Sequence, residues 1–232
     1  MSCCLIGEKM IVGADGSSSG WVVAAKNRCG KIVIKEVGSI QAIFEHWDVQ
    51  TLAIDMIIGI PEQTQRGGRR AEREARKLLS PRGAVVFSTP CRAAVYASDY
   101  VQALELSRQS SPQNIGLSKQ SYNITPKIRE LDLFLRKHSK QRDCIFEVHP
   151  ELSFWEMNKR EQIPTKHSPE GRKKRMELLE EQGLLQQRSV SIDEMDALAC
   201  LYSAIRIQSN QADCVPLEPV QDAFGLSMQI CW

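Results

Sequence analysis

The chain has 232 residues, of which 42% are hydrophobic and 25% are charged, a composition typical of a globular domain that folds in water. This length suits one sizeable domain, or one core with an insertion. Thirty basic residues against 28 acidic ones give a formal net charge of +2, which excludes nucleic-acid binding driven by overall charge and leaves local patches as its only basis. No apolar stretch reaches the roughly 20 residues of a membrane helix, so no membrane association is expected.

The cysteines and the N-terminal sequence bear on the expected compartment. Eight cysteines occur without a C-x-x-C pair, a pattern that predicts neither a zinc site nor a disulfide framework. The first residues lack the basic segment and apolar run of a signal peptide. The expected location is therefore the reducing cytoplasm.

The first third of the chain predicts strands. The apolar segment 9–15 ends at Asp15-Gly16, a turn signal, and strand candidates follow at 20–25 and 31–37. After a short predicted helix, the segment 52–60 is apolar except for Asp55, which is typical of a parallel strand buried on both faces. These patterns predict an antiparallel sheet of hairpins that gains a parallel strand after a helical crossover.

The rest of the chain is predicted to be mainly helical, with one further strand. Alternation in that strand puts Glu147 and His149 on one face, and Ser191 with Glu194 matches a capping box at the start of the last helix. The predicted elements are a helix at 69–79, a polar loop at 109–120, helices that begin near 125 and 169, a strand at 144–149, and a helix at 191–207.

Acidic residues stand out because they occur in apolar or tightly turned surroundings, at strand ends and a helix start. Burying an ionised carboxylate costs several kcal/mol unless a cation or dense hydrogen bonding compensates it. We therefore expect four of them to converge on a divalent metal as catalytic residues and ligands. Structural alternatives are a hairpin turn for the first of them and an ion pair with an arginine for the third. The four are Asp15, Asp55, Glu147 and Asp196.

The chemistry that this set favours is phosphodiester hydrolysis. Hard oxygen ligands suit Mg²⁺ or Mn²⁺, and two such ions about 4 Å apart can hold the attacking water and the leaving oxygen. Asp193 lies one turn before Asp196 and is a further candidate ligand, unless it caps the helix. His149 and Glu151 are candidates for hydrogen-bonding support of the ligands, although Glu151 also suits the start of a helix.

Basic residues form a second candidate site. Arg69, Arg73 and Arg76 fall on one helical face, and with Lys127 and Arg129 they are predicted to line a phosphate-binding groove. The alternative is a solvated helix in which Glu72 pairs with Arg76.

Several segments together resemble a family of predicted RNase H-like nucleases, also known as domain of unknown function 429. The most specific of them begins at Glu147, and the others bear the remaining acidic candidates and the arginine-rich helix. They are Val12-Gly13-Ala14-Asp15-Gly16, Ala53-Ile54-Asp55, Ile58-Gly59-Ile60-Pro61, Arg69-Arg70-Ala71-Glu72-Arg73-Glu74-Ala75-Arg76, Pro126-Lys127-Ile128-Arg129, Glu147-Val148-His149-Pro150-Glu151, Pro169-Glu170-Gly171-Arg172 and Asp196-Ala197-Leu198-Ala199.

The resemblance implies an α/β fold of the RNase H-like superfamily. This is a mixed five-stranded sheet of antiparallel hairpins and parallel strands, flanked by helices. It further implies a single domain over 1–232 with a helical insertion at 62–140, and a metal-dependent nuclease, a hydrolase acting on nucleic acid or another phosphodiester. The chain departs from the family at Met56-Ile57-Ile58, where a proline is common, and at Asp193-Glu194, where two aspartates are common.

Two other functions fit the same residues. A nucleotide-binding protein of the ATPase or kinase kind would place the Asp15-Gly16 turn against phosphates. A non-catalytic binding protein would retain the scaffold and pair its carboxylates with arginines as structural ions, because a fold does not determine a function.

Overall fold

The structure is a computed structural model that describes residues 8–185 and 189–232. The chain divides into two compact units. The first holds the residues up to Asp55 together with Lys140–Asp213 and Cys231–Trp232, and the second holds Met56–Ser139 and Cys214–Ile230. The organisation as one RNase H-like domain with an insertion at 62–140 stays a prediction.

A five-stranded sheet forms the centre of the first unit. Its strands are β1 (Lys9–Gly16), β2 (Trp21–Lys26), β3 (Ile32–Val37), β4 (Asp48–Ile54) and β5 (Ile145–Glu147). Their order in the sheet is β3-β2-β1-β4-β5. β1 and β3 pair with β2 in antiparallel fashion, whereas β4 runs parallel to both β1 and β5. The prediction of a mixed α/β sheet with helices beside it is confirmed.

Helices and one hairpin complete the described chain. The helices are α1 (Ile40–His46), α2 (Arg70–Leu78), α3 (Arg92–Val95), α4 (Tyr100–Ser110), α5 (Lys119–Asn123), α6 (Thr125–Lys137), α7 (Ser139–Arg142), α8 (Pro150–Met157), α9 (Pro169–Glu181) and α10 (Ile192–Gln208), and the hairpin pairs β6 (Cys214–Gln221) with β7 (Ser227–Cys231). Both ends of the predicted loop 109–120 are helical. Polar caps explain this, because Asp99 accepts a hydrogen bond from the Gln102 N–H and Ser118 from the Ser121 N–H.

Helix α10 packs directly on β1 at Gly13. A Cβ atom at this position would lie 2.0 Å from the backbone nitrogen of Leu201 and 2.4 Å from the carbonyl oxygen of Ala197. A glycine inside a strand is unfavourable in itself and marks a close approach of another backbone. Around this contact, Ala197 and Leu201 pack with Ala24 of β2 in one buried apolar cluster.

We expect Gly13→Ala to destabilise the protein strongly, because the added methyl group meets backbone atoms that cannot move aside. Overpacking of this kind costs about 3 kcal/mol or more. Gly38→Ala is the matched control, since a Cβ there meets nothing within 4 Å. Urea unfolding of both variants measures the difference, and equal midpoints would contradict the close approach of α10.

In the second unit, the half-buried guanidinium of Arg92 joins α3, α6 and the hairpin. It forms salt bridges with Asp132 at 3.1 Å, Asp222 at 2.6 Å and Glu62 at 2.9 Å. Asp132 and Asp222 are almost completely buried, so their charges need this partner. Arg92 therefore has a structural role in the second unit.

Cysteine chemistry differs from the prediction. Cys214 and Cys231 are disulfide-bonded, whereas Cys29, Cys91, Cys144 and Cys200 are free thiols. The sequence analysis predicted no disulfide framework and did not identify these two cysteines as disulfide-bonded. Disulfide formation depends on distance and direction in the folded chain, which sequence spacing does not reveal.

Within the described residues, no helix is long and apolar enough to cross a membrane.

An acidic cluster as the candidate active site

Two aspartates lie side by side where neighbouring parallel strands end. Ala14 of β1 pairs with Ile54 of β4, and the backbone N–H of Asp55 donates to the carbonyl oxygen of Ala14 at 2.9 Å. The next residues, Asp15 and Asp55, therefore lie side by side at the carboxyl ends of these strands, where their carboxyl groups interact electrostatically. Asp55 directly follows β4, so its predicted position within a strand is wrong. The strand stops one residue earlier.

A third aspartate comes from α10. Ser191 accepts a hydrogen bond from the Glu194 N–H at 3.2 Å, and the Glu194 carboxylate accepts one from the Ser191 N–H at 2.7 Å. This capping box confirms the prediction and makes Ser191 the cap. Asp196 then falls in the second helical turn and is 2% exposed. Because α10 crosses β1 at Gly13, on the face that also bears Asp15, Asp196 is brought to the strand ends.

A lysine that the sequence analysis did not identify neutralises part of this cluster. The Lys166 ammonium group forms a salt bridge with Oδ2 of Asp196. Oδ1 of Asp196 is buried and has no hydrogen-bond partner in the described structure. Lys166 lies in the loop between α8 and α9, where no periodicity or motif marks it.

Burial and mutual repulsion perturb the three aspartates. Burial, followed by repulsion from Asp55 and Asp196, raises the pKa of Asp15 to about 9. Burial raises the pKa of Asp196 to about 6 against the attraction of Lys166, and burial likewise raises the pKa of Asp55. The cluster therefore holds protons that ordinary carboxyl groups release well below neutral pH. A bound cation would lower all three pKa values.

The electrostatic environment favours the charged form of Lys166. Burial lowers the pKa of its ammonium group, but attraction to Asp196, Asp15 and Asp55 outweighs burial, so the pKa is raised. Lys166 therefore stays positively charged beside the aspartates at physiological pH.

The structure places Glu147 differently from the other three candidate ligands. Glu147 of β5 pairs with Ile54, the residue before Asp55. Paired residues of parallel strands share a face, and successive residues alternate between faces. Ile54 also pairs with Ala14 of β1, so the side chain of Glu147 belongs to the face opposite to Asp15, where it is buried at 6% exposure. The sequence analysis placed Glu147 on one face with His149, and the role of Glu147 as a metal ligand stays a prediction.

The remaining acidic candidate, Asp193, lies in the first turn of α10. Its side chain is exposed to solvent, and its charge adds to the repulsion that raises the pKa of Asp15. It lies near the cluster at its outer edge.

His149 and Glu151 are held at the start of α8. The Nδ1 atom of His149 accepts a hydrogen bond from the Glu151 N–H at 3.2 Å and so caps the helix. Both carboxylate oxygens of Glu151 accept from the buried Arg175, at 2.7 and 2.8 Å. Both residues interact electrostatically with Asp55, and their hydrogen-bonding support of the ligands stays a prediction.

The candidate phosphate-binding residues lie in the second unit and divide into two kinds. Arg69 is 2% exposed, forms a salt bridge with the equally buried Glu72, and donates to the carbonyl oxygens of Ile58 and Gly59. Its guanidinium group therefore bonds to groups in the interior of the protein. Glu72 bonds to Arg69 and Thr89, which replaces the Glu72–Arg76 hydrogen bond of the solvated-helix alternative.

The other four basic candidates are more accessible. Lys127 and Arg129 lie half-buried on α6, and the guanidinium group of Arg129 is 5.9 Å from the ring centre of Tyr96. Arg73 and Arg76 on α2 are also half-buried and donate to neutral acceptors.

The acidic cluster fits a hard divalent cation by the type of its donor atoms. Asp15, Asp55 and Asp196 offer carboxylate oxygens, the donors that Mg²⁺ and Mn²⁺ prefer, and one oxygen of Asp196 has no partner. In the part of the chain that the structure describes, no three or more His, Cys, Asp or Glu side chains are already arranged to hold a metal ion. The positive charge beside the three aspartates comes from the ammonium group of Lys166.

The fold and the cluster define an α/β protein with perturbed aspartates at the carboxyl ends of neighbouring parallel strands. The family described as "Protein of unknown function (DUF429)" matches residues 13–221. The chain therefore belongs to the DUF429 family. Searches of the curated proteins and of the solved structures returned no significant match.

Proposed function

We propose that this protein is a metal-dependent phosphodiesterase of RNase H-like fold that cleaves nucleic acid. Asp15, Asp55 and Asp196 are the proposed metal-binding and catalytic residues. The observation that carries the proposal is the convergence of these three aspartates from β1, the end of β4 and α10, with pKa values raised by burial and mutual repulsion. Perturbed groups of this kind concentrate at functional sites.

The sheet supports the assignment to the RNase H-like superfamily. Three antiparallel strands in the order β3-β2-β1 continue into the parallel strands β4 and β5. This is the mixed arrangement that the family resemblance implies. Asp15 on the first strand, Asp55 after the parallel strand and Asp196 on the last helix also follow the chain order of that resemblance.

Each residue of the cluster has a distinct part in the proposed site. A bound Mg²⁺ or Mn²⁺ would supply charge stabilisation of the phosphate and activation of water. Asp15 and Asp55 present adjacent oxygens from rigid strand ends, and Asp196 presents its unpartnered Oδ1. Lys166 holds the other oxygen of Asp196 and reduces the net negative charge that a phosphate must approach.

Metal binding tests the proposal directly. We expect wild-type protein to bind Mn²⁺ in isothermal titration calorimetry, and Asp55→Asn to weaken binding by at least about tenfold, as removal of a charged ligand does. Asp48→Asn is the matched control, because Asp48 is exposed at the opposite end of the same strand. Circular dichroism of each variant establishes that it is folded. Absence of Mn²⁺ binding to wild type, or equal binding by Asp55→Asn, would remove the metal from the proposal.

The non-catalytic alternative has one observation in its favour, the salt bridge between Lys166 and Asp196. That alternative requires every carboxylate of the cluster to be paired with a basic group. Within the described residues, neither Asp15 nor Asp55 forms a salt bridge with a lysine, arginine or histidine. Two adjacent carboxyl groups that form no ion pair are costly for a purely structural site, which favours the phosphodiesterase.

A further inference from the structure

A cavity in the second unit lies between α2, α4, α5 and the loops that join them. Its volume is about 360 Å³, within the range of roughly 300–1,000 Å³ of small-molecule sites. Its lining includes the side chain of Arg76, four hydroxyl-bearing residues near α4 and α5, and the ring of Phe87. A cavity of this size suits a small molecule and is too small for a polymer.

Arg76 brings a positive charge to this cavity without a carboxylate to balance it. Its Nε atom donates to the Val86 carbonyl oxygen at 2.8 Å, and its terminal nitrogens donate to the Gly67 carbonyl oxygen at 2.5 Å and the Ser88 hydroxyl at 2.9 Å. All three acceptors are neutral, and Arg76 forms no salt bridge with the described residues. An arginine has five N–H donors, so two remain while the group is held rigidly.

A second guanidinium group strengthens this positive region. Arg73 lies one turn earlier on α2 and donates to the side-chain oxygen of Gln65 at 3.1 Å and to the Gly68 carbonyl oxygen. It also lacks a carboxylate partner in the described chain. Burial, together with repulsion from Arg73, lowers the pKa of Arg76, although the charge of Glu72 opposes this effect. Two neighbouring cations on neutral acceptors favour a dianion over a monoanion.

Gly67 keeps the approach to both arginines open. Its backbone has φ of +76°, a conformation that residues with side chains rarely adopt. A Cβ at this position would lie 3.3 Å from Cγ of Arg73 and 3.5 Å from a terminal nitrogen of Arg76. The glycine therefore leaves the guanidinium side of the cavity uncovered.

The other walls of the cavity combine hydroxyl groups with aliphatic residues, among them Ala84, Ile115 and Leu117, and one aromatic ring. The hydroxyls of Thr64 and Ser107 are 3.0 Å apart, and the Ser118 hydroxyl donates to that of Ser121 at 3.0 Å. These contacts hold the hydroxyl groups in place without a ligand. Phe87 is 43% exposed, an unusual position for a large apolar ring, and it offers a flat surface to the organic part of a ligand.

We propose that this cavity is a binding site for a small phosphomonoester. The planar guanidinium of Arg76 matches phosphate oxygens, and the adjacent charge of Arg73 complements a group that carries about −1.5 to −2 charges at neutral pH. The hydroxyl walls face a sugar or similar polyol, and Phe87 packs against an attached ring. This site is independent of the acidic cluster, so neither proposal depends on the other.

Calorimetric titration with four probes tests the site. The probes are inorganic phosphate, ribose 5-phosphate, adenosine 5′-monophosphate and adenosine. We expect the first three to bind wild-type protein, adenosine 5′-monophosphate most tightly because its ring reaches Phe87, and adenosine to bind at least about tenfold more weakly than its monophosphate. Absence of saturable binding by all phosphate-containing probes, or equal binding of adenosine and its monophosphate, would overturn the proposal.

Variants assign the binding to the named residues. Arg76→Lys keeps the charge but loses the planar fork, and we expect it to weaken all three phosphates about tenfold. Phe87→Ala removes an exposed side chain, and we expect it to weaken the nucleotide while leaving inorganic phosphate unchanged. Arg70→Gln is the matched control, since Arg70 is exposed on the same helix and pairs with Glu74. Wild-type affinity in Arg76→Lys, or an equal loss in Arg70→Gln, would place the phosphate elsewhere.

Discussion

Asp55→Asn is expected to lower the rate of Mn²⁺-dependent nucleic-acid cleavage by at least about 10³-fold. The substitution keeps the size of the side chain but removes the anionic oxygen next to Asp15. Loss of one electrostatic contribution at a reacting phosphate typically costs about 10²–10³ in rate, and loss of the cation adds to this cost. The measurement is the single-turnover cleavage rate of fluorescently labelled single- and double-stranded DNA and RNA with excess enzyme.

Two further substitutions make the rate measurement specific to the cluster. Asp48→Asn, at the other end of β4, should retain the wild-type rate. Glu147→Gln should reduce the rate far less than Asp55→Asn, because the register puts Glu147 on the opposite face of the sheet. If wild-type protein cleaves none of the substrates with Mn²⁺, the nuclease proposal fails. If Glu147→Gln reduces the cleavage rate as much as Asp55→Asn does, Glu147 belongs to the catalytic site together with the three aspartates.

Asp15→Asn is expected to stabilise the metal-free protein at alkaline pH. The pKa of Asp15 is about 9 in the folded protein, against 3.8 for the ordinary side chain, so the folded state binds this proton more tightly than the unfolded state. The contribution of Asp15 to stability is therefore most favourable below about pH 4 and is lost as the pH rises toward 9. Asparagine cannot ionise and removes this penalty.

The expected stabilisation by Asp15→Asn is derived from only a part of the pKa shift of Asp15. About two pKa units correspond to about 2.7 kcal/mol, and for a chain of this length this raises Tm by roughly 5–10 °C. Thermal unfolding with a chelator at pH 8 and at pH 4 measures it. The gain should be present at pH 8 and absent at pH 4, and Asp48→Asn should show no gain at either pH.

Added Mn²⁺ should make wild type more stable than Asp15→Asn. A ligand that binds only the folded state raises Tm, so the ion should stabilise wild type and leave Asp15→Asn nearly unchanged. An Asp15→Asn variant that is less stable than wild type at pH 8 in chelator would contradict the buried, repelling cluster.

The residues at the centre of the candidate site follow strong local signals in the sequence. Asp15 stands at a turn, Asp55 interrupts an apolar segment, and Asp196 follows a capping box, so each position relates to the end of an element. The order of these elements predicts that the strand ends meet. The mixed sheet follows from the same patterns, since hairpins precede the helical crossover to β4.

Features that depend on distance in the folded chain were not predictable. Lys166 lies in an irregular loop, and its partner Asp196 is 30 residues away in sequence. The face of Glu147 depends on which residue of β4 it pairs with, and alternation within β5 alone does not supply that register. The helices α3 and α5 were missed because each has five residues or fewer, too short for a hydrophobic period to emerge.

Contact of α10 with Gly13 sets the separation of the catalytic candidates through main-chain atoms alone. Because position 13 has no side chain, the spacing of Asp196 from Asp15 depends directly on this contact between backbones. A side chain at this position would push α10 away from β1 and would carry Asp196 away from Asp15. Engineering of the residues around the site therefore has to retain glycine at position 13.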